Sequence, residues 1–108
     1  MTASARVTLV TGGARRVGAA IVRACAMRGD AVVIHASRSV SEAQTLADAL
    51  RAQGASIAVV QGDLSDPETP ERLVKEAAEA FGPLDVLVNS AATFVQNDPM
   101  SITPSQWD

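Results

Sequence analysis

A short stretch near the start of the chain has the residue types of an anion-binding turn. An apolar run, Val7–Val10, leads into Thr11-Gly12-Gly13-Ala14-Arg15-Arg16-Val17-Gly18. Gly12 and Gly13 have no Cβ, so the backbone can turn sharply there and approach a ligand closely. The helical spacing that follows places unpaired amides and the positive end of a helix dipole at the turn. A strand, a glycine turn and a helix in this order indicate a site for the pyrophosphate of a dinucleotide.

Two other glycine loops are excluded by the residues present. Gly13 and Gly18 have the glycine spacing of a P-loop, but Ala19 and Ala20 stand where its Lys and Ser/Thr would be. The standard G-x-G-x-x-G fingerprint of dinucleotide-binding proteins is absent as well. A glycine turn that binds no ligand stays open as the alternative.

The segment after the second predicted strand, His35-Ala36-Ser37-Arg38-Ser39, bears on the type of dinucleotide. Proteins that bind NAD usually place Asp or Glu roughly 20 residues past the glycine loop, where it holds the ribose 2′-hydroxyl. No acid is present here. Arg38 can bind a 2′-phosphate bidentately, and Ser37 and Ser39 can donate to it. The charges favour NADP(H), with a solvated loop arginine as the alternative, and His35 is interpreted as a packed residue at the strand end.

Further polar residues follow the other predicted strands or lie in the turn itself. Arg15 and Arg16 would place two guanidinium groups beside a pyrophosphate, which is electrostatically favourable, with a surface arginine at a helix end as the alternative for Arg16. Asp63, followed by Leu64, comes after the third predicted strand, although a Gly-Asp pair is also a common turn. Asn89-Ser90-Ala91-Ala92 follows the fourth predicted strand.

The elements that position these residues follow from the periodicity of apolar side chains. The predicted strands are Val7–Val10, Ala31–His35, Ser56–Val60 and Asp85–Val88. The three helices between them have predicted apolar faces at Val17, Ile21 and Cys25, at Ala43, Leu46, Ala47 and Leu50, and at Leu73, Ala77 and Phe81.

Polar and glycine residues predict where these helices begin and end. Ser41 with Gln44 predicts the cap of the second helix. Gly29 and Gly54 predict the ends of the first two helices, and Gly82-Pro83 the end of the third. The order β-α-β-α-β-α-β predicts an α/β fold with a doubly wound parallel sheet. The strand order is 3-2-1-4 if the glycine turn lies at the topological switch point.

The motif from Thr11 to Gly18 reads T-G-x-x-x-R-x-G and resembles the T-G-x-x-x-G-x-G loop of the short-chain dehydrogenases/reductases. Arg16 replaces the middle glycine, as in the pteridine reductase branch. The segment from His35 to Ser39 is similar to that branch's histidine-x-x-arginine-serine run. The resemblance covers the whole chain and implies a Rossmann-type domain, of which residues 1–108 are the N-terminal dinucleotide-binding part, truncated before the later strands.

The resemblance also implies roles for single residues. The implied cofactor-binding residues are Gly12, Arg15, Arg16, Val17, Gly18, His35, Ser37, Arg38, Ser39, Asp63, Leu64, Asn89, Ser90 and Ala91. Arg16 would also touch the substrate, and Phe94 would stack on a planar one, with a packed loop residue as the alternative for Phe94. Ala92 departs from the family pattern, which has glycine there.

The function implied by the resemblance is an NADPH-dependent reductase that delivers hydride to a small planar substrate, such as a dihydropteridine or dihydrofolate. The family's proton-donating Tyr and the Lys four residues later have no counterpart here, because the chain has no tyrosine and Lys75 falls on a different predicted helix. We therefore expect no catalytic residue, no metal site and no activity from this chain alone. A non-catalytic nucleotide-binding module is the alternative.

Thr103-Pro104-Ser105-Gln106 has the pattern of a helix start, yet the sequence ends two residues later. One turn of helix is not stable in isolation, so we expect a longer protein.

Composition excludes several other functions. The chain of 108 residues is 47% hydrophobic but only 3% aromatic, which suits parallel strands buried under helices. Its net charge of -3 argues against a nucleic-acid surface. No apolar run is long enough for a membrane span, the start lacks a signal-peptide pattern, and Cys25 is predicted to be a small buried hydrophobe. A cytoplasmic protein is expected, and the resemblance implies a homo-oligomer when complete.

Overall fold

Strands and helices alternate along the chain in the computed structural model, which describes residues 5–90. The strands are β1 (Val7–Thr11), β2 (Ala31–Ala36), β3 (Ile57–Gln61) and β4 (Val86–Asn89). The helices are α1 (Arg16–Met27), α2 (Val40–Ala52) and α3 (Thr69–Phe81). The predicted element order is confirmed, and each strand lies within one residue of its predicted bounds.

The strands form one parallel sheet in the order β3-β2-β1-β4. Leu9 at the centre of β1 is in register with Val33 of β2 and Leu87 of β4. Every residue of β1 and β2 is buried. This is expected for parallel strands covered on both faces, and the predicted doubly wound α/β fold of order 3-2-1-4 is confirmed.

Alternating side chains of the sheet pack against helices on opposite faces. Val10 and Ile34 point to one face and belong to a core with Val22 of α1 and Leu46 of α2. Leu9, Val33 and Val60 belong to the core on the other face, where Leu73 and Ala77 of α3 pack. The apolar residues predicted for α2 are all buried, as are Leu73 and Ala77 of α3, with Phe81 partly buried against the same core.

The predicted apolar face of α1 is wrong by one residue at its start. Val17 is 67% exposed, whereas Gly18, Ala19, Val22 and Cys25 are buried. The start of the helix comes so close to the β1–α1 turn that only glycine fits against it. Position 18 therefore faces the turn, and Val17, about 100° around the helix, faces outward.

The predicted cap of α2 is also wrong. The helix begins at Val40 and Ser39 occupies the capping position without a side-chain hydrogen bond. Ser41 lies in the first turn, where its carbonyl oxygen accepts a hydrogen bond from Thr45 Oγ1 at 2.9 Å. The predicted ends are confirmed at Gly29 and Gly54, whose φ angles of 99° and 95° are in the left-handed region.

Some of the predictions fall on residues that the structure does not describe. They concern Ala91, Ala92, Phe94 and the helix start at Thr103–Gln106. Within residues 5–90, none of the helices has the length and hydropathy needed to cross a bilayer.

Replacing Gly18 with alanine tests the contact between α1 and the turn. A Cβ there would overlap the carbonyl oxygen of Gly12 and lie 2.8 Å from Cα of Gly13. Backbone atoms cannot move aside as a side chain can, so we expect Gly18→Ala to lower the free energy of unfolding by about 2 kcal/mol or more.

The matched control is Gly54→Ala, where the added Cβ meets nothing within 4 Å but φ is 95°. This change should cost only the left-handed strain of alanine, about 1 kcal/mol. Urea unfolding of both variants in the full-length protein measures the difference. Equal losses would show that Gly18 is not needed for close packing.

Candidate functional site

The carboxyl ends of the strands bring the predicted site residues to one edge of the sheet. The glycine turn follows β1, Ser37–Ser39 follow β2, and Gly62–Leu64 follow β3. Ser90 follows β4, next to β1 in the sheet. Strand order reverses at β1, and such a switch point in an open α/β sheet is where ligands bind.

The amides of the two turn glycines are already used inside the protein. The Gly12 N–H donates to Nδ1 of His35 at 3.0 Å, and the Gly13 N–H donates to the His35 carbonyl oxygen at 3.0 Å. Gly12 has a φ of 63°, which fits glycine at this sharp turn. The two glycines therefore shape the turn, and their amides are not free to bind an anion.

The amides that remain for an anion belong to the first turn of α1. The first amide of this helix with an acceptor four residues back is that of Ala19, which donates to the Arg15 carbonyl oxygen at 3.3 Å. The amides of Arg16, Val17 and Gly18 precede it and have no intrahelical acceptor. With the helix dipole, these amides give this end of α1 the chemistry suited to an anion.

Arg16 adopts an unusual backbone conformation. Its φ is 54°, and it is the one non-glycine residue with positive φ among residues 5–90. An L-residue in the left-handed region carries strain of roughly 1–2 kcal/mol. The strain coincides with the position where the sequence has arginine in place of the glycine of the T-G-x-x-x-G-x-G loop.

A basic cleft of about 280 Å³ lies beside the turn, between the ends of β1 and β2. Its lining residues are Gly12, Ala14, Arg15, Ala36, Ser37, Arg38 and Ser39. Ser37 and Arg38 are exposed, and Arg15 is held by Glu42 of α2 with 3.5 Å between Nε and Oε2. Both members of that pair are more than half exposed, so the pair orients Arg15 but contributes little stability.

Asp63 lies in the loop after β3 as an ionised acceptor. Its Oδ1 accepts hydrogen bonds from the Ser65 N–H at 2.9 Å and the Ser65 hydroxyl at 2.7 Å. These bonds lower the pKa of Asp63 below its ordinary value, and the positive charge of Arg38 lowers it further. Leu64 next to it packs against the core under α3.

Thr11 joins the ends of β1 and β4, a role that the sequence analysis missed. Its hydroxyl donates to Oδ1 of Asn89 at 2.9 Å, and its carbonyl oxygen accepts a hydrogen bond from the Ser90 hydroxyl. Thr11 is buried at the end of an otherwise apolar strand, which was the available signal. These contacts hold Asn89 and Ser90 beside the glycine turn.

His35 is a packed residue near the end of β2, as predicted. It is 1% exposed, and both ring nitrogens are hydrogen-bonded to the backbone of neighbouring loops. The sequence offered no sign of these partners, because Gly12 and Gly62 are 23 and 27 residues away.

A parallel sheet that reverses its order at a glycine turn, with a basic cleft beside a helix N-terminus, defines a nucleotide-binding α/β protein. Residues 6–108 match the short chain dehydrogenase family. The chain belongs to this family.

Relatives and solved structures agree with this assignment. Versicolorin reductase stcU of Emericella nidulans is 33% identical over 103 residues, 95% of this chain and 39% of that protein. The FolM alternative dihydrofolate reductase 1 of Brucella canis, solved with NADP, is 38% identical with a TM-score of 0.78 over 94% of this chain and 41% of its own. A short chain dehydrogenase of Burkholderia cenocepacia, also solved with NADP, is 36% identical with a TM-score of 0.80 over 95% and 42%. The chain thus spans about two fifths of the length of these proteins.

The strain at Arg16 can be measured by replacing this residue with glycine. Arg16→Gly removes the strain of roughly 1–2 kcal/mol, offset in part by about 0.4–1 kcal/mol from the greater freedom of glycine in the unfolded chain. We expect the free energy of unfolding to rise by up to about 1.5 kcal/mol. Arg16→Ala loses the same guanidinium but keeps the Cβ, so it should bring no such gain. Urea unfolding measures the free energy of unfolding of both variants. Equal values would show that the positive φ at position 16 carries no strain.

Proposed function

We propose that this chain is the dinucleotide-binding part of an NADP(H)-dependent oxidoreductase. The observation that carries the proposal is the cleft after β2, which is lined by Arg38, Ser37 and Ser39 and, among residues 5–90, by no acidic side chain. A carboxylate at this point would favour a free ribose 2′-hydroxyl, whereas a guanidinium and hydroxyls favour a 2′-phosphate. Two of the solved family members described above were crystallised with NADP.

The other site residues would hold the remaining parts of the dinucleotide. The unpaired amides of Arg16, Val17 and Gly18 would hold the pyrophosphate, with Gly12 shaping the turn and the guanidinium groups of Arg15 and Arg16 nearby. The 2′-phosphate would lie in the cleft after β2.

The two ends of the cofactor would meet the loops after β3 and β4. Asp63, kept ionised by Ser65, would accept from the adenine amine, with Leu64 beside the ring. Asn89, Ser90 and Ala91 would approach the nicotinamide ribose, with the first two held in place through Thr11. The bound cofactor supplies a hydride, and these residues bind and orient it.

For the substrate we propose a small planar heterocycle, a dihydropteridine or dihydrofolate. The support is Arg16 in place of glycine, together with the 38% identity to the alternative dihydrofolate reductase of Brucella canis. Arg16 would contact the polar edge of the substrate and Phe94 would stack on its face. By resemblance to the family the proton donor would be a tyrosine, and these 108 residues include none.

The remaining parts of the proposal concern the whole protein. We propose that residues 1–108 form the N-terminal part of a single Rossmann domain, that this part is inactive alone, and that the complete protein is a cytoplasmic dimer or tetramer. Light scattering on the full-length protein measures its assembly.

Removing the guanidinium of Arg38 tests the choice of cofactor. Arg38→Ala should weaken NADPH binding by about 10- to 100-fold, the loss expected for a charged hydrogen bond, and leave NADH affinity unchanged. Fluorescence titration of both cofactors measures this. Arg23→Ala, which removes the same charge from the exposed side of α1, is the control and should leave both affinities unchanged. Equal affinity of the wild-type protein for NADPH and NADH would contradict the assignment.

The substrate proposal is tested by NADPH oxidation in the full-length protein. We expect turnover with dihydrofolate or dihydrobiopterin, and a larger loss of kcat/KM for these substrates in Arg16→Ala than in Arg23→Ala. A 3-oxoacyl thioester and a hydroxynaphthoquinone serve as comparison substrates. Turnover of either comparison substrate without activity on the pterins would exclude the pterin class.

A further inference from the structure

The buried imidazole of His35 joins two loops that flank the cofactor cleft. His35 is the single histidine of the chain and is 1% exposed. The Gly12 N–H donates to its Nδ1 at 3.0 Å, so Nδ1 carries no proton. The ring proton is therefore on Nε2, which donates to the Gly62 carbonyl oxygen at 2.8 Å.

Both ends of this bridge lead directly to residues proposed to bind the cofactor. Gly12 begins the turn that sets the direction of α1 and its first amides. Gly62 precedes Asp63, the proposed adenine contact. The backbone of His35 adds a third connection, because its carbonyl oxygen accepts from the Gly13 N–H at 3.0 Å.

The Gly62 end of the bridge is anchored by α3. A Cβ at Gly62 would lie 2.6 Å from side-chain atoms of both Thr69 and Arg72, so this loop sits directly against the helix. The Gly62 N–H donates to the Ala36 carbonyl oxygen at 3.2 Å, and Nη2 of Arg72 donates to the Gln61 carbonyl oxygen at 2.8 Å. The imidazole therefore ties the glycine turn to a loop that is itself held against α3.

We propose that His35 is a positioning residue of the cofactor site, whose neutral imidazole fixes the glycine turn relative to the β3–α3 loop so that the phosphate and adenine contacts lie at the spacing of one dinucleotide. This inference rests on the proposed function. It concerns a side chain that is enclosed by protein and acts through the backbone of Gly12 and Gly62.

The bridge holds only while the ring is neutral. An imidazolium has a proton on each nitrogen, so Nδ1–H would face the Gly12 N–H and two donors would oppose each other. Burial lowers the pKa of His35 and the positive charge of Arg72 lowers it further, while the bond to the Gly62 carbonyl opposes them. The ring is thus neutral near pH 7.

The direction of the pH effect follows from this lowered pKa. Above the pKa of the folded protein the bridge is intact and cofactor affinity is constant. As the pH falls through that pKa, the ring takes up a proton, the bridge breaks and affinity decreases. Charged side chains on the segments around the ring include Arg15 and Arg16 after β1, Arg38 after β2, Asp63, Asp66 and Glu68 between β3 and α3, and Arg72 of α3, whose Nη1 lies 2.7 Å from Oε2 of Glu76.

The test combines imidazole NMR with NADP+ titrations of the full-length protein between pH 5 and 8. In the ¹⁵N spectrum we expect a neutral ring protonated on Nε2, titrating below the ordinary histidine value of about 6.5. His35→Leu, which removes both hydrogen bonds, should weaken NADP+ binding about tenfold or more at pH 7.5. His35→Asn, which keeps an acceptor near the position of Nδ1, should recover part of the affinity.

Two controls separate the bridge from other effects of pH and charge. His35→Leu should retain the acid titration of the cofactor's own 2′-phosphate but lose the steeper decrease seen in the wild type. Arg38→Ala should weaken binding at every pH without moving the midpoint set by His35.

The outcomes distinguish this inference from the proposed function. If the wild type binds no NADP+, the proposed function fails and this inference fails with it. If the wild type binds but His35→Leu binds equally well with the same pH profile, only this inference fails. A ring protonated on Nδ1, or one titrating at its ordinary pKa, overturns it even if the leucine variant does not fold.

Discussion

The start of α1 lies against the turn that follows β1, and the rest of the site depends on this close contact. Position 18 has room for a hydrogen but not for a Cβ, because the Gly12 carbonyl oxygen occupies that space. Close approach brings the unpaired amides of the first helical turn to the switch point of the sheet. The same turn contains the two positive φ angles of Gly12 and Arg16. One steric constraint thus places the anion-binding end of the helix.

Hydrogen bonds made by the buried side chains of Thr11 and His35 keep the loops at the sheet edge in fixed relative positions. Thr11 connects β1 to the end of β4, and His35 connects the glycine turn to the loop after β3. Such polar groups are costly to bury unless each finds a partner, so these bonds specify one arrangement of the loops. A cofactor that spans several loops benefits from this arrangement, because the loops need not be ordered on binding.

At the opposite end of the sheet a second polar cluster serves packing alone. Asp30 is 5% exposed and accepts hydrogen bonds from Thr8 Oγ1 at 2.9 Å and from Nη2 of Arg28 at 2.6 Å. These partners, Arg28 first, lower the pKa of Asp30, while burial raises the pKa of Cys25 nearby. The lowered pKa keeps Asp30 ionised next to Arg28, and the raised pKa keeps the Cys25 thiol neutral. Neither side chain therefore packs as an unpaired charge. At the carboxyl end, by contrast, Arg38 is exposed and lines the cleft after β2.

The sequence by itself determined the order of the elements, the parallel sheet and the presence of a basic cleft beside the glycine turn. The spacing of Val, Leu, Ile and Ala was sufficient to predict the strands and helices, because a sheet covered by helices on both faces leaves a periodic apolar pattern in the sequence. Gly12, Gly13 and Gly18, and the acid-free segment around Arg38, marked the cleft through local chemistry.

Contacts between distant residues were decided only by the tertiary structure. It directed the Gly12 and Gly13 amides inward to His35 and joined Thr11 to Asn89. A hydrogen bond or a steric contact between residues more than 20 positions apart leaves no periodic trace in either segment, since each partner alone is compatible with many neighbours.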